Sequence, residues 1–153
     1  MEHRKMKRVS DSFTTQVQLL TQANLNGYNR LFGGQLMSWM DIVAGVTARR
    51  HSGKNVTTLR VDSLEFRAPA RANDTLMITG HICFVGNTSM DVCVLVYVEE
   101  LSGERKLINR AHFTMVALDE NERPTPVPGL ILEDDVQMQE WAEAEKRRRS
   151  NKK

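Results

Sequence analysis

A single carboxylate lies within the most apolar stretch of the chain. Residues 31–48, LFGGQLMSWMDIVAGVTA, contain one charged residue, Asp41. A charge in a buried helix is costly unless it has a partner or lines a site. On a helix with about 100° between successive residues, mostly small residues surround Asp41, so another backbone or a thin ligand can approach it. The residues alone allow two roles: a structural carboxylate bonded to a loop or neighbouring subunit, and a catalytic base or nucleophile.

Two glycines, Gly33 and Gly34, stand where this helix is predicted to begin. The first backbone N–H groups of a helix have no acceptor within the helix, and the positive end of its dipole lies there. Because glycine has no side chain, a carbonyl oxygen can approach these N–H groups, which predicts an oxyanion site. The alternative is that the glycines only permit a tight junction between loop and helix.

The elements that must position these groups follow one another in a clear order. A strand-like run at residues 12–20 precedes an Asn- and Gly-rich loop, and the long helix is predicted from about residue 33 to residue 50. Alternating and β-branched runs then predict an antiparallel meander over residues 55–66, 74–85, 88–100 and 106–118. Acidic residues at its start and basic residues at its end predict a last helix within 133–149. A helix that is apolar nearly all round predicts a curved sheet wrapped about it, an α+β fold that leaves little of the helix exposed.

Composition narrows the functional class. The 153 residues are 41% hydrophobic and 26% charged, typical of one globular domain, and the net charge of +2 implies no general affinity for polyanions. No secretory signal is recognised, and Cys83 and Cys93 lack metal-type spacing, so we expect free thiols in the cytoplasm and no metal site. Glycines and polar residues within 31–48 argue against a membrane span. The basic run EKRRRSNKK either contacts nucleotide phosphates or RNA or is a solvated helix end.

Several segments together resemble the hotdog-fold acyl-CoA thioesterases, in particular the bacterial YciA-type and mammalian brain-type acyl-CoA hydrolases. The segments are NGYNRLFGGQLMSWMDIVAG, VTTLRVDSLEFRAPA, VGNTSMDVCV and HFTMVALDENERPTPVP. The resemblance implies a hotdog domain over 12–130, between an N-terminal tail (1–11) and a charged C-terminal helix and tail (131–153). It implies hydrolysis of acyl-CoA to a carboxylate and CoA, with no cofactor beyond the CoA of the substrate.

The resemblance assigns catalytic roles to Asp41, Asn26 and Gly34. The loop pattern of the family places its asparagine on Asn26, and Asn24 is the alternative if the loop carries an insertion. Asn29 stands where the family has glycine. Because asparagine tolerates left-handed backbone better than most residues, the turn is predicted to survive this departure.

Contacts to the CoA moiety are predicted around the turn VGNTS and near the end of the helix. The turn offers backbone N–H groups and hydroxyls to a phosphate or pantetheine, although an ordinary hairpin would look the same. Three residues close the helix, and they either meet phosphates or only complement its C-terminus: Arg49, Arg50 and His51. The resemblance places Thr57, Asn87, Thr88 and Ser89 beside the CoA moiety, and the other predicted substrate contacts are Gly33, Arg50 and His51.

The predicted catalytic groups cannot meet within one helix. Gly34 and Asp41 are seven residues apart, which is about 10.5 Å along the axis. Hotdog domains pair with their helices antiparallel, so the resemblance implies a homodimer in which Asp41 of one chain meets Asn26, Gly33 and Gly34 of the other, and a trimer of such dimers. A hotdog dehydratase, which needs a histidine near the helix, and a non-catalytic acyl-CoA sensor are the competing functions. Neither a membrane nor a nucleic-acid partner is expected.

Overall fold

A computed structural model describes residues 3–151 of the chain. The predicted terminal segments extend beyond this range by two residues at each end, 1–2 and 152–153, and these lie outside the described residues. The elements are β1 (Met6–Arg8), β2 (Thr14–Leu19), α1 (Gly33–Ser52), β3 (Asn55–Phe66), β4 (Thr75–Val85), β5 (Ser89–Glu99), β6 (Arg105–Leu118), β7 (Gly129–Ile131) and α2 (Asp135–Asn151). The long elements confirm the predicted order to within a few residues. The short strands β1 and β7 were not predicted.

The five long strands form one antiparallel sheet in the order β2-β4-β5-β6-β3. The predicted meander is therefore correct for β4, β5 and β6 and wrong for β3, which pairs with β6 at the far edge. The link at 67–74 explains the crossing, because its Ala70 is buried and accepts a hydrogen bond of 2.8 Å from the N–H of Leu31. The link is thereby held beside the start of α1 instead of closing a hairpin.

One face of α1 packs on the inner face of this sheet. The helix approaches β4 closely at Gly80, where a Cβ would lie only 2.6 Å from Oγ1 of Thr47 and 2.8 Å from Cγ1 of Val43. The residues of α1 that are buried are Leu36, Trp39, Met40, Val43, Ala44, Thr47, Ala48, His51 and Ser52. Burial of this apolar surface is the main force that fixes the helix on the sheet.

The opposite face of α1 is exposed in the single chain. Its exposed residues include Gly34, Ser38, Asp41, Ile42 and Arg49. The expectation that the sheet leaves little of the helix exposed is therefore wrong for one chain, because five strands cover only one side of the helix. Within residues 3–151, no helix has the length and hydropathy needed to span a membrane.

The C-terminal helix α2 packs on the outer face of the sheet. Trp141 lies against Phe84 with ring centroids 4.3 Å apart, and Ala144 is buried with Cys83 and Cys93. Both thiols are free. Burial raises the pKa of Cys93 to about 11 and that of Cys83 well above its usual value, so both thiols are inert packing groups.

The two ends of the domain meet through a short parallel pair. β1 pairs with β7, and Lys7 Nζ donates to the carbonyl of Arg50 at 2.9 Å. The segment predicted as an N-terminal tail thus contains a strand attached to the region that follows the main sheet.

Candidate active site

The helix carboxylate is held by a threonine of β3. Thr58 Oγ1 donates a hydrogen bond of 2.6 Å to Asp41 Oδ1. A surface pocket with a volume of about 290 Å³ contains both residues, and Gly45, Arg49 and Met115 are among its other lining residues. One carboxylate oxygen is therefore oriented by a neighbour while the group still faces an open pocket.

Thr58 is the residue beside Asp41 that sequence reasoning missed, since the prediction chose its neighbour Thr57. Successive side chains of a strand point to opposite faces. Val56 and Thr58 lie on the helix side and line the Asp41 pocket, and Thr58 pairs across the sheet with the buried Met115. The alternation of β3 around the apolar Val56 was the signal that favoured Thr58.

The loop before α1 is shaped by Asn26. Its Oδ1 accepts hydrogen bonds from the backbone N–H groups of Tyr28 at 2.8 Å and Arg30 at 3.3 Å. Among the described residues, its Nδ2 has no hydrogen-bond partner. Asn29 adopts φ 58°, so the left-handed turn predicted at this departure from the family pattern is present. Asn24 instead caps the preceding turn, because its Oδ1 accepts from the N–H and hydroxyl of Thr21.

A second pocket lies beside Asn26 and the start of α1. It has a volume of about 360 Å³, and its lining residues are Asn26, Arg30, Leu31, Gly33, Leu36, Phe66, Arg67, Ala68, Pro69, Ala70 and Ile108. Asn24 is not among them, which favours Asn26 as the amide of the site. The N–H groups of Gly33 and Gly34 have no acceptor within residues 3–151, since the first helical N–H groups that bond to Phe32 belong to Gln35 and Leu36.

The two pockets are separate in a single chain. Asp41 and Thr58 line one pocket, whereas Asn26 and Gly33 line the other. Cleavage of an ester or thioester needs two kinds of group, and each pocket contains one of them. The Asp41 pocket has a carboxylate that can activate a nucleophile, and the Asn26 pocket has N–H donors for a carbonyl oxygen. Neither pocket is lined by histidine.

The chain matches known proteins along most of its length. The sequence model of the thioesterase superfamily matches residues 28–103. The acyl-CoA thioester hydrolase YkhA of Bacillus subtilis is 33% identical over 100% of this chain and 91% of its own. The chain belongs to the hotdog-fold acyl-CoA thioester hydrolases of the thioesterase superfamily.

Solved structures agree with this membership. An acyl-CoA hydrolase from Staphylococcus aureus in complex with butyryl-CoA, CoA and CoA disulfide has a TM-score of 0.91 at 31% identity, over 96% of this chain and 90% of that one. An apo-hexameric acyl-CoA thioesterase has a TM-score of 0.93 at 32% identity, over 97% and 96% of the two chains. Three solved variants of the S. aureus hydrolase carry alanine for one asparagine, one aspartate or one threonine, with TM-scores of 0.91 to 0.93 at 30–31% identity over at least 96% of this chain and 90% of that chain.

Two of the residues predicted to contact CoA in this thioesterase share a row across the sheet. Thr57 of β3 pairs with Val116 of β6, and Val116 pairs with Ser89 of β5. Directly paired residues point to the same face, so Thr57 and Ser89 lie on the same side of the sheet. The predicted tight turn between β4 and β5 is present, and its Asn87 is exposed.

The residues that close α1 in this thioesterase are bound within the protein. Arg50 Nη1 donates to the carbonyl of Phe13 at 3.0 Å and to Thr14 Oγ1 at 3.3 Å. His51 is fully buried, and its Nε2 donates to the carbonyl of Pro128 at 2.8 Å. Burial lowers the pKa of His51, so the imidazole is a neutral packing group. The structure does not bring His51 to a surface where it would meet a phosphate.

The described part of this thioesterase has no cluster of side chains that could together bind a metal ion. No group of three or more His, Cys, Asp or Glu side chains between residues 3 and 151 is arranged to hold one. Asp41 and Arg49 are the ionisable residues among those that line the carboxylate pocket.

Proposed function

We propose that this protein hydrolyses acyl-CoA to a carboxylate and CoA at sites that two copies of the chain build together. The observation that carries the proposal is the separation of the two half-sites: Asp41 with Thr58 in one pocket and Asn26 with Gly33 in another. Both pockets open on surfaces that a second copy can cover. Two symmetric sites per dimer follow, each with a carboxylate from one chain and a carbonyl-binding loop from the other.

The surface for the second copy is the β3 edge together with the exposed face of α1. β3 is a 12-residue edge strand, and its exposed apolar residues are Leu59, Val61, Leu64 and Phe66. A long apolar edge strand invites pairing with another chain unless it is covered. Two-fold pairing of β3 with its copy would join two sheets and set the exposed faces of the two α1 helices side by side. The helices then run antiparallel, which brings the middle of one towards the N-terminus of the other.

The S. aureus variants support the choice of residues. In that hydrolase, the replaced asparagine precedes the replaced aspartate by 15 residues, and the replaced threonine follows that aspartate by 17. In this chain, Asn26 precedes Asp41 by 15 residues, and Thr58 follows Asp41 by 17. The equal spacing supports Asn26, Asp41 and Thr58 as the functional set.

The chemistry follows from these positions. The thioester carbonyl oxygen accepts hydrogen bonds from Asn26 Nδ2 and from the free N–H groups of Gly33 and Gly34. Asp41, oriented by Thr58, removes a proton from a water molecule, and the oxygen of that water molecule attacks the carbonyl carbon. Negative charge on the former carbonyl oxygen is stabilised by the N–H donors and the positive helix end. The C–S bond then breaks, the electron pair leaves on the CoA sulfur, and the proton held by Asp41 passes to the thiolate.

The assembly and compartment complete the proposal. The hexameric thioesterase structure supports a hexamer of this chain, arranged in our proposal as a trimer of dimers, and static light scattering on the purified protein would test for six subunits. Buried free thiols fit the reducing cytoplasm. The CoA moiety is placed at the turn of residues 86–89 and along the row that contains Thr57, with Arg50 near its phosphates and no nucleic acid involved.

Mixed dimers provide the decisive test. Asn26→Ala chains and Asp41→Asn chains are each expected to lose thiol release from acyl-CoA, whereas co-expressed hybrid dimers regain one intact site of two. Purification through two different tags isolates the hybrid, and Asn26→Ala/Asp41→Asn chains paired with wild type are the matched control, because that pairing keeps no intact two-chain site. Inactive hybrids of confirmed composition would contradict a site shared between chains.

The same thiol-release assay separates the competing functions. A dehydratase would form an enoyl thioester without releasing thiol, and a sensor would bind acyl-CoA without turnover. The absence of histidine from the lining of both pockets argues against the dehydratase. A single turnover in ¹⁸O-water tests the role of Asp41: label in the product carboxylate supports the general base, and label in Asp41 would show that it is the nucleophile.

A further inference from the structure

An arginine of the C-terminal helix binds the turn between β4 and β5. Arg148 donates from Nη1 to Ser89 Oγ at 2.7 Å and from Nη2 to Asp91 Oδ1 at 2.6 Å. Its Nε donates to Asp91 Oδ2 at 3.1 Å, and its guanidinium lies over the ring of Phe84, 4.5 Å from the centroid. One side chain therefore contacts both strands that flank the turn.

Several neighbouring groups hold Arg148 and Asp91 in place. Asp91 is only 4% exposed, and its Oδ1 also accepts a hydrogen bond of 3.1 Å from Thr114. A buried carboxylate needs a charged partner, and Arg148 is its salt-bridge partner. The guanidinium also lies against the backbone of the turn, because a Cβ on Gly86 would be 3.0 Å from its Nη1. Arg148 therefore belongs to the framework of the turn and is not part of a frayed basic tail.

The framework leaves one part of the turn free. The N–H of Gly86 bonds to the carbonyl of Ser89, and the carbonyl groups of Asn87 and Thr88 accept from the N–H groups of Val127 and Ala117. In the described part of the chain, the side chains and N–H groups of Asn87 and Thr88 have no protein partner. These are the groups that the turn can present to a ligand.

We propose that Arg148 is a positioning residue for recognition of the CoA moiety. It holds Ser89 and the buried Asp91 so that the free groups of Asn87 and Thr88 keep the geometry needed to bind the CoA portion of the substrate. This inference rests on the proposed acyl-CoA hydrolysis. Arg148 has no hydrogen bond to Asp41, Thr58 or Asn26, so its effect falls on CoA binding and not on cleavage of the C–S bond.

Two substrates separate these effects. Acyl-CoA carries the nucleotide and full pantetheine, whereas the S-acyl-N-acetylcysteamine of the same acyl group retains only the thioester end. Arg148→Ala is expected to raise KM for acyl-CoA about tenfold, as loss of a charge-assisted contact typically does, with kcat within about twofold. Its kcat/KM for the truncated thioester is expected to match that of wild type. Arg149→Ala, which removes an exposed arginine next in sequence, is the matched control and should change neither value.

Ser89→Ala is a second variant for the case in which Arg148→Ala does not fold, because it removes one hydroxyl and leaves the Arg148–Asp91 pair. It is expected to raise KM for acyl-CoA about threefold alone and to add nothing to Arg148→Ala. Thermal unfolding checks that each variant is folded. An unchanged KM for acyl-CoA in folded Arg148→Ala, or in Ser89→Ala if the first variant does not fold, would overturn the inference. An equal loss on both substrates would overturn it as well.

Failure of the proposed function gives a different result. Wild-type protein would then release no thiol from acyl-CoA, whatever happens at Arg148. Calorimetry with CoA alone still decides the inference in that case, since weaker binding by Arg148→Ala than by Arg149→Ala supports it and equal binding overturns it.

Discussion

Thr58 Oγ1 lies 2.6 Å from Asp41 Oδ1 and donates a hydrogen bond to it. The contact joins the middle of α1 to the edge strand β3, 17 residues further along the chain. It holds one carboxylate oxygen of a residue that lines the pocket. The orientation of Asp41 is therefore set by the sheet as well as by its own helix.

Replacement of Thr58 tests this relationship. Thr58→Ala is expected to lower kcat about 10- to 100-fold, because a hydrogen bond to a charged group is typically worth about 1.5–3 kcal/mol. Thr58→Ser keeps the hydroxyl and should retain most of the activity, and Thr57→Ala, on the opposite face of the strand, should leave kcat unchanged. Equal kcat values for Thr58→Ala and wild type would show that the contact has no part in catalysis.

The two glycines at the start of α1 should respond differently to alanine. A Cβ on Gly34 would lie 2.7 Å from the Phe32 ring, whereas one on Gly33 meets no atom within 4 Å in the single chain. Gly33→Ala is therefore expected to fold normally and to lose activity by filling the pocket beside Asn26. Gly34→Ala is expected to lower the melting temperature as well, since the ring must move. Full activity of Gly33→Ala would contradict the proposed oxyanion site.

Asn29 offers a test of the loop that carries Asn26. Because φ is 58° at this position, Asn29→Gly should keep wild-type stability and kcat, whereas Asn29→Ala should lose about 1–2 kcal/mol of loop stability. The N–H of Asn29 bonds to the carbonyl of Asn26, so a displaced turn also moves the amide that is proposed to bind the carbonyl oxygen of the substrate. Kinetic assays and thermal unfolding compare Asn29→Gly with Asn29→Ala. Equal kcat and equal stability of the two variants would contradict the prediction that the left-handed turn positions Asn26.

The dimer surface can be tested with two leucines of contrasting location. Leu59 is 68% exposed on the β3 edge, and Leu101 is fully exposed in the turn between β5 and β6. Leu59→Asp is expected to reduce the molar mass in light scattering and to abolish thiol release together, because each proposed site needs two chains. Leu101→Asp is the matched control and should change neither. A Leu59→Asp protein that is monomeric and fully active would contradict the two-chain site.

His112 predicts how stability depends on pH. Burial, together with the charges of Arg147 and Arg110, lowers its pKa from 6.5 to about 4, although Glu140 acts in the opposite direction. As the pH falls, the unfolded chain therefore takes up a proton at His112 before the folded chain does. The free energy of unfolding is unaffected by the titration of His112 above pH 6.5 and decreases as the pH falls from 6.5 towards 4. The loss amounts to at most about 3 kcal/mol in the free energy of unfolding.

Denaturant unfolding of wild type and His112→Gln at pH 7 and pH 5 checks this prediction. The variant should show a smaller decrease between the two pH values. Part of the decrease should remain, because burial also lowers the pKa of His51. An identical decrease in both proteins would contradict the assignment to His112.

Local patterns in the sequence were enough to predict most of the elements. The apolar run around Asp41, the two glycines before it and the alternation in the later strands depend on neighbours along the chain, so α1, β4, β5 and β6 could be read directly. Asn29 likewise predicted its own left-handed turn. Family membership followed from several such motifs in order, and it is confirmed.

The tertiary structure decided which elements meet. β3 pairs with β6 because the link after it is held beside the start of α1, and nothing in the alternation of β3 identifies its partner. The alternation of β3 could indicate that Thr58 and not Thr57 faces the helix, but only packing brings Thr58 to Asp41. Packing likewise places Arg148 at the β4–β5 turn, although its sequence context is a basic tail. These contacts join residues 17 to 59 positions apart in sequence. Local sequence determines the conformation of a segment, but only packing of the whole chain determines which distant side chains come within hydrogen-bond distance.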